Sequence, residues 1–296
     1  MKRIGLVCML SVGISIPLAS DTGLFEAIRA NDERAVASLI DNGVDANSRN
    51  QQGATALMQA ALHASPAVMK LLLDHGADPN AHNPLGATAL MWAAGDPAKV
   101  KVLLEHRAAV NIRANSGRTA LIIASAYPGN LQSIRLLLSK GADAKAVDEA
   151  GDGPLGNAAG SADVGMLKEL LAAGASVNER SNRGGSLRGL TPLIRAAGAN
   201  CVECARLLLA HGSDVNAVSN EARVVKAGLQ EHGRLTPLLL AVEGGNHELI
   251  QLLLDKGASL EARDSRGLNA LMLAVTNERQ DVRSVRLLLD RRPANA

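Results

Sequence analysis

Short apolar runs recur along the chain at a nearly constant interval, and within each run the spacing is helical. Val68, Leu71 and Leu72, and again Ile134, Leu137 and Leu138, stand at i, i+3 and i+4, which gathers them on one face of an α-helix. Leu71-Leu72-Leu73, Leu136-Leu137-Leu138, Leu207-Leu208-Leu209 and Leu252-Leu253-Leu254 each lead into a glycine. Glycine is suited to end a helix there, because a left-handed residue costs it little without a Cβ. Roughly twenty residues upstream of each glycine a second phrase appears. It reads Thr55-Ala56-Leu57-Met58, Thr88-Ala89-Leu90-Met91, Thr119-Ala120-Leu121-Ile122, Thr191-Pro192-Leu193-Ile194, Thr236-Pro237-Leu238-Leu239 and Asn269-Ala270-Leu271-Met272. Thr or Asn before an apolar run is an N-cap, and Pro fits the first helical turn, where its missing N–H is no loss. The pattern predicts a turn, a short Ala-rich helix and a longer Leu-rich helix in every unit.

The glycines at 43, 76, 141, 174, 212 and 257 mark the period, with Arg107 and Arg292 in the equivalent places where Gly is missing. Successive spacings are 33, 31, 34, 33, 38, 45 and 35 residues, so the basic unit is 33 with two real insertions. A single unit buries too little apolar surface to fold alone, so stability must come from stacking. The expected organisation is one domain over 21–296, in repeats at 21–49, 50–82, 83–113, 114–147, 148–180, 181–218, 219–263 and 264–296.

These phrases resemble the ankyrin repeat, Gly-x-Thr-Pro-Leu-His-x-Ala-Ala followed by a Leu-rich helix and Gly-Ala-Asp-x-Asn. The likeness covers Asp21 to Arg292 and implies an all-α, ankyrin-like α-solenoid of about eight stacked helix-turn-helix repeats with turn or β-hairpin tips. Tetratricopeptide repeats share a similar period but lack the Gly-Ala-Asp turn. One departure recurs: the family's His is replaced by Met58, Met91, Ile122, Gly156, Ile194, Leu239 and Met272. The resemblance therefore implies inter-repeat contacts that rely on apolar packing. Leu24-Phe25-Glu26-Ala27-Ile28-Arg29 at one end, and Arg279, Arg283, Arg286, Arg291 and Arg292 at the other, read as polar caps.

Composition agrees with small stacked helices. Apolar residues make up 47% of the chain, yet it holds one Phe, one Trp and one Tyr, too few for the core and pockets of an ordinary enzyme of this length. Trp92, inside the repeated phrase, is expected between repeats. Basic and acidic residues number 31 and 29, and Lys2 and Arg3 lie at the extreme N-terminus, so the body is neutral. That argues against nucleic acid, whose non-specific binding depends on excess Lys and Arg. Lys2-Arg3, the uncharged run Ile4 to Ile16 and the small residues before Asp21 read as a signal peptide over 1–20, shorter than the roughly 20 apolar residues of a membrane span. A periplasmic or secreted, monomeric protein without a membrane span after signal removal is expected.

Little in the chain suggests chemistry. Gly151-Asp152-Gly153-Pro154-Leu155-Gly156 matches the dinucleotide-binding glycine pattern, but its glycines fall on the repeat's own turn, without a preceding strand. His247-Glu248 opens like a zinc-protease helix, yet Gln251 stands where the second His belongs. No nucleophile–base set or carboxylate pair emerges, and the charged residues fall on turns and outer faces, the usual solvated places. No cofactor, metal or catalytic residue is implied. Cys201 and Cys204, at the start of a second helix, could form a local disulfide or a buried apolar pair. A redox pair is the alternative, since a helix N-terminus lowers a thiol pKa.

The remaining function class is binding. The resemblance implies a protein–protein interaction scaffold that binds through its turn tips and the exposed side of its first helices. In this register those positions include Gln51, Gln52, Leu62, His63, Pro84, Leu85, Asp96, Asn115, Arg118, Tyr127, Glu149, Asp152 and Arg266, with Leu85 and Tyr127 as candidate anchors. The insertions at 180–189 and 218–235 carry Arg183, Arg188, Arg223 and Lys226, and are expected on one face as a mildly basic lip for an acidic partner.

Overall fold

The computed structural model describes residues 21–182, 189–220, 233–276 and 282–291. Sixteen helices among them form eight antiparallel pairs. The inner row consists of α1 (Asp21–Arg29), α3 (Ala56–His63), α5 (Ala89–Trp92), α7 (Ala120–Ser125), α9 (Pro154–Gly160), α11 (Pro192–Gly198), α13 (Pro237–Gly244) and α15 (Ala270–Thr276). The outer row consists of α2 (Glu33–Asp41), α4 (Pro66–Asp74), α6 (Pro97–Glu105), α8 (Leu131–Ser139), α10 (Val164–Ala172), α12 (Val202–Ala210), α14 (His247–Asp255) and α16 (Val282–Leu289). Each helix packs on its pair partner and on its counterpart in the next unit, which is the all-α solenoid the repeats require.

Local chemistry sets the boundaries. Thr55, Thr119, Thr191 and Thr236 each cap an inner helix, their hydroxyls accepting from the amides of Met58, Ile122, Ile194 and Leu239 at 3.2–3.3 Å. Asp32, Ser65, Asp96, Asp163 and Asn246 do the same for outer helices. Losing such a cap typically costs about 1 kcal/mol. At the other end of the outer helices, Gly43, Gly76, Gly141, Gly174, Gly212 and Gly257 hold φ between +79° and +92°. Arg107 adopts the same left-handed turn, at φ +64°.

One apolar core runs the length of the stack. Inner-helix Leu57, Leu90, Leu121, Leu155, Leu193 and Leu238 are buried against outer-helix residues such as Leu72, Leu103, Leu137, Leu170, Leu208 and Leu253. Ala60, Ala93, Ala124, Ala158, Ala196 and Ala241 are also buried, and their small side chains let neighbouring helices approach closely. Met58, Ile122, Ile194 and Leu239 are buried where the repeat pattern has His, so these positions do pack as hydrophobes. Trp92 is half-buried against the same core. The C-terminal cap is less polar than its arginines imply: Met272, Val275, Val282 and Leu289 are exposed beside Arg283, Arg286 and Arg291. Arg279 and Arg292 lie outside the described residues.

Hydrogen bonds add a second tie between units. The Asn47 side chain donates to Gly76 O (3.0 Å) and accepts from the Asp78 amide (2.8 Å). Asn111 repeats this with Gly141 and Asp143, Asn178 with Gly212 and Asp214, and Asn216 with Gly257 and Ser259. Asn80 accepts from the Ala109 amide at 2.7 Å. Lys145 occupies the rung after Asn111 and cannot reproduce it, so the asparagine ladder is interrupted between the fourth and fifth units. The tips are tight turns rather than extended hairpins, with isolated antiparallel bridges at Arg49–Thr55 and His82–Thr88 among the described residues. No helix among them is long and apolar enough to cross a membrane.

Candidate interaction surface

The turn tips preceding the inner helices line up along one edge, and each is built by a short polar side chain folded back on its own backbone. Asn50 Oδ1 accepts from the amides of Gln52 and Ala54, and Asn83 Oδ1 from those of Leu85 and Ala87. Asp148 and Asp264 take the same role, each accepting two amides of its own turn. Turn formation thus draws both carboxylates inward, where they are buried. Burial raises the Asp264 carboxyl, but the Leu268 amide and Arg266 outweigh it and hold it below the ordinary range.

Arginines stay outside on this edge. Arg49, Arg113, Arg180 and Arg263 occupy equivalent positions in alternate units, and all four are exposed. Arg49 donates to His82 O (2.9 Å), Arg113 to Val147 O (2.5 Å) and Arg180 to Val218 O (3.0 Å), each acceptor lying at the matching position of the next unit. Arg263 donates to Gly267 O of its own turn at 2.8 Å.

Other expected contact positions divide into exposed groups and framework groups. Gln51, Gln52 and Pro84 are exposed, and Leu85 is 69% exposed at its tip. Leu62 and Tyr127 are 54% and 52% exposed, His63 is exposed beside Leu62, and the Tyr127 ring lies over Gly95. Asp96 caps α6 through the amides of Ala98 and Lys99. Asn115 binds Pro84 O with its side chain and Leu85 O with its amide, fixing one tip to the next. Arg118 pairs with Asp148 at 3.3 Å, and Arg266 with Asp264 at 2.6 Å and Glu243 at 3.3 Å. Arg183, Arg188, Arg223 and Lys226 lie outside the described residues, as does the expected signal segment 1–20.

The expectation that charged residues are solvated fails at Asp264 and, most fully, in the fifth unit. Asp152, expected at an exposed tip, is buried and ion-paired with Arg195 from α11. Beside them Glu179 is 9% exposed, at a position filled by Ser48, Ala81, Ile112, Ala146, Ala217 and Ala262 in other units. Its Oε1 accepts from the Gly156 amide at 2.7 Å, while Oε2 faces the Gly153 backbone off hydrogen-bond geometry. Gly153 stands where most units have the capping Thr, and it makes no side-chain cap of its own. The Glu179 carboxylate therefore caps α9 from outside that helix. A Cβ on Gly153 would lie 2.0 Å from Oε2, so the glycine pattern of this segment makes room for a glutamate and not for a phosphate. Burial pushes the Glu179 carboxyl up to about 7, against the lowering pull of the Gly156 amide, the Arg195 guanidinium and the Gly153 amide. Gly153 in place of Thr, together with Glu179 in place of an uncharged residue, was the sequence signal for this cluster.

Cys201 and Cys204 are joined as a disulfide, with their Cα atoms 5.3 Å apart. Cys201 is the N-cap of α12, its sulfur accepting from the Cys204 amide at 3.2 Å, and Cys204 is fully buried in the core. The bond thus staples the first turn of one outer helix.

A family model described as ankyrin repeats (three copies) matches this chain over residues 6–83, 24–114, 67–148, 126–219 and 216–295. A stretch of 55 residues is 40% identical to the mitochondrial disaggregase of Bos taurus, covering 19% of this chain and 8% of the bovine protein.

Proposed function

The chain belongs to the ankyrin repeat family, and from that premise we propose a non-catalytic protein-binding scaffold that works in the periplasm or outside the cell. The observation that carries the binding role is the exposure of Leu85, Leu62 and Tyr127 on a rigid, hydrogen-bonded framework of tips and inner-helix ends. Apolar anchors held in one conformation lose little entropy on binding and dominate affinity. The Lys2-Arg3 start with its following apolar run, and the joined Cys201–Cys204 pair, support export to an oxidising compartment.

Cross-linking in the compartment, followed by mass spectrometry and a binding assay with the identified partner, tests this reading. Leu85→Ala and Tyr127→Ala should each weaken the complex about tenfold or more. Unchanged affinity in the double variant would exclude this surface, and an intact Met1 N-terminus on cytoplasmic protein would exclude export.

A redox accessory role is the second reading, supported by the half-exposed Cys201 at a helix N-terminus. Thiol alkylation before and after mild reduction separates the two. A disulfide that cycles in the cell supports redox work, and one that stays closed supports a staple.

A further inference from the structure

We propose that the tip edge takes an extended acidic protein segment, whose carboxylates pair with Arg49, Arg113, Arg180 and Arg263 and whose apolar side chains settle between them. This rests on the scaffold reading above and adds the chemistry of the partner.

Apart from Lys2 and Arg3 the chain is neutral, but the fold separates its charges. Asp148, Asp152, Glu179 and Asp264 all belong to tip segments, and all four are buried, whereas the four row arginines stay in solvent. Glu149 is exposed beside them, against four row arginines, so the edge keeps a positive surplus that net charge conceals. No carboxylate pairs with these arginines among the described residues. Each guanidinium is held by a backbone carbonyl, which fixes its plane and leaves further N–H groups facing outward. A fixed guanidinium fork is suited to bidentate carboxylate binding.

Spacing narrows the partner further. Helix pairs stack at about 8–10 Å, so arginines in alternate units stand about 16–20 Å apart. An extended peptide advances about 3.3 Å per residue, so acidic residues five or six apart would meet successive arginines. Between them the row presents His82, Val147 and Val218, with Leu85 projecting from a neighbouring tip. A nucleic-acid strand, with one phosphate every 3.4 Å, would leave most of its charges unmatched on such a row. At the N-terminal end, Phe25, Arg29, Arg49, Gln51 and Gln52 line an open cleft of about 270 Å³. Two arginines beside an aromatic floor could hold the last carboxylate of the segment.

The test is fluorescence anisotropy on the exported chain with a labelled 24-residue peptide carrying Glu at every sixth position among Ser, Ala and Leu. The same peptide with Gln for Glu, and a 24-nucleotide oligothymidine, serve as comparison probes. The acidic peptide should bind at least tenfold more tightly than either, and more weakly as salt rises. Arg113→Glu with Arg180→Glu should abolish the difference. Arg113→Gln with Arg180→Gln, which retains donors for Val147 O and Val218 O, should lower it at least fivefold with the helical circular dichroism unchanged. Equal binding of the Gln peptide, tighter binding of the oligonucleotide, no binding of the acidic peptide, or insensitivity to the Gln pair would overturn the proposal. The cross-linked partner separates the two levels: a partner that binds through Leu85 and Tyr127 but ignores Arg113 and Arg180 leaves the scaffold standing and removes its acidic specificity.

Discussion

Glu179 caps a helix to which it does not belong: its carboxylate receives the Gly156 amide at 2.7 Å, across 23 residues of chain, as the Thr191 hydroxyl receives the Ile194 amide within its own turn. The substitution of a distant acid for a local hydroxyl requires Gly153, because any Cβ there would meet Glu179 Oε2.

Restoring the repeat's usual Thr at 153 should therefore harm the protein unless Glu179 is shortened. Glu179→Ala leaves the Gly156 amide unpaired in the interior, at a cost of roughly 1–3 kcal/mol. Gly153→Thr displaces the carboxylate from its only amide and costs about as much. The double variant Gly153→Thr/Glu179→Ala regains a local cap and should recover most of the loss. Urea denaturation of the four proteins checks this, and simple additivity of the two single changes would contradict it.

Stability should depend on pH through the same carboxyl. Its folded value, about 7, lies above its ordinary value of 4.5, so the folded chain holds this proton more tightly than the unfolded chain. That contribution is fully present below about 4.5 and is lost as pH rises to about 7, by as much as roughly 3 kcal/mol. Glu179→Gln should flatten this part of the stability profile, measured as melting temperature between pH 4.5 and 8. A wild-type profile that rises with pH over that interval, unchanged by Glu179→Gln, would contradict the assignment.

Lys145 interrupts a ladder of asparagines that runs from Asn47 to Asn216. In Lys145→Asn the new side chain is placed to donate to Gly174 O and accept from the Ser176 amide, as Asn111 does with Gly141 and Asp143. Two net hydrogen bonds should add about 1–2 kcal/mol at the interface between the fourth and fifth units. Amide hydrogen exchange should slow at Ser176 itself, a local result that a general surface effect would not produce.

Arg107 holds a left-handed turn at φ +64° that six other outer helices assign to glycine. Arg107→Gly removes the steric cost of a Cβ there and adds some unfolded-state entropy, for a net gain of about 1 kcal/mol. Calorimetry should show a melting temperature a few degrees higher, and a fall would mean that the Arg107 side chain makes a compensating contact.

Helices, caps and terminating glycines were legible because they depend on a few consecutive residues. Thr55, Thr119 and Thr236 cap where their sequence context places them, and Leu85 and Tyr127 are exposed as their register requires. Asp96 and Asn115 were legible as polar contact positions, but their ties to Ala98, Lys99 and Pro84 depend on loop geometry. The Glu179 cluster depends on segments far apart in sequence, and an acid in a turn is ordinarily solvated.

The amino-acid sequence by itself determined the repeating unit, its stacking and the single long core, because a 33-residue pattern of caps, apolar faces and glycines admits few other arrangements. Only the tertiary structure decided which charges face water. Turn backbones and the N-terminus of α9 present amides that draw particular carboxylates inward, and arginines at matching positions donate to backbone carbonyls and stay exposed. Composition counts charges without regard to depth, and depth is set by neighbours that the chain brings together only when it is stacked.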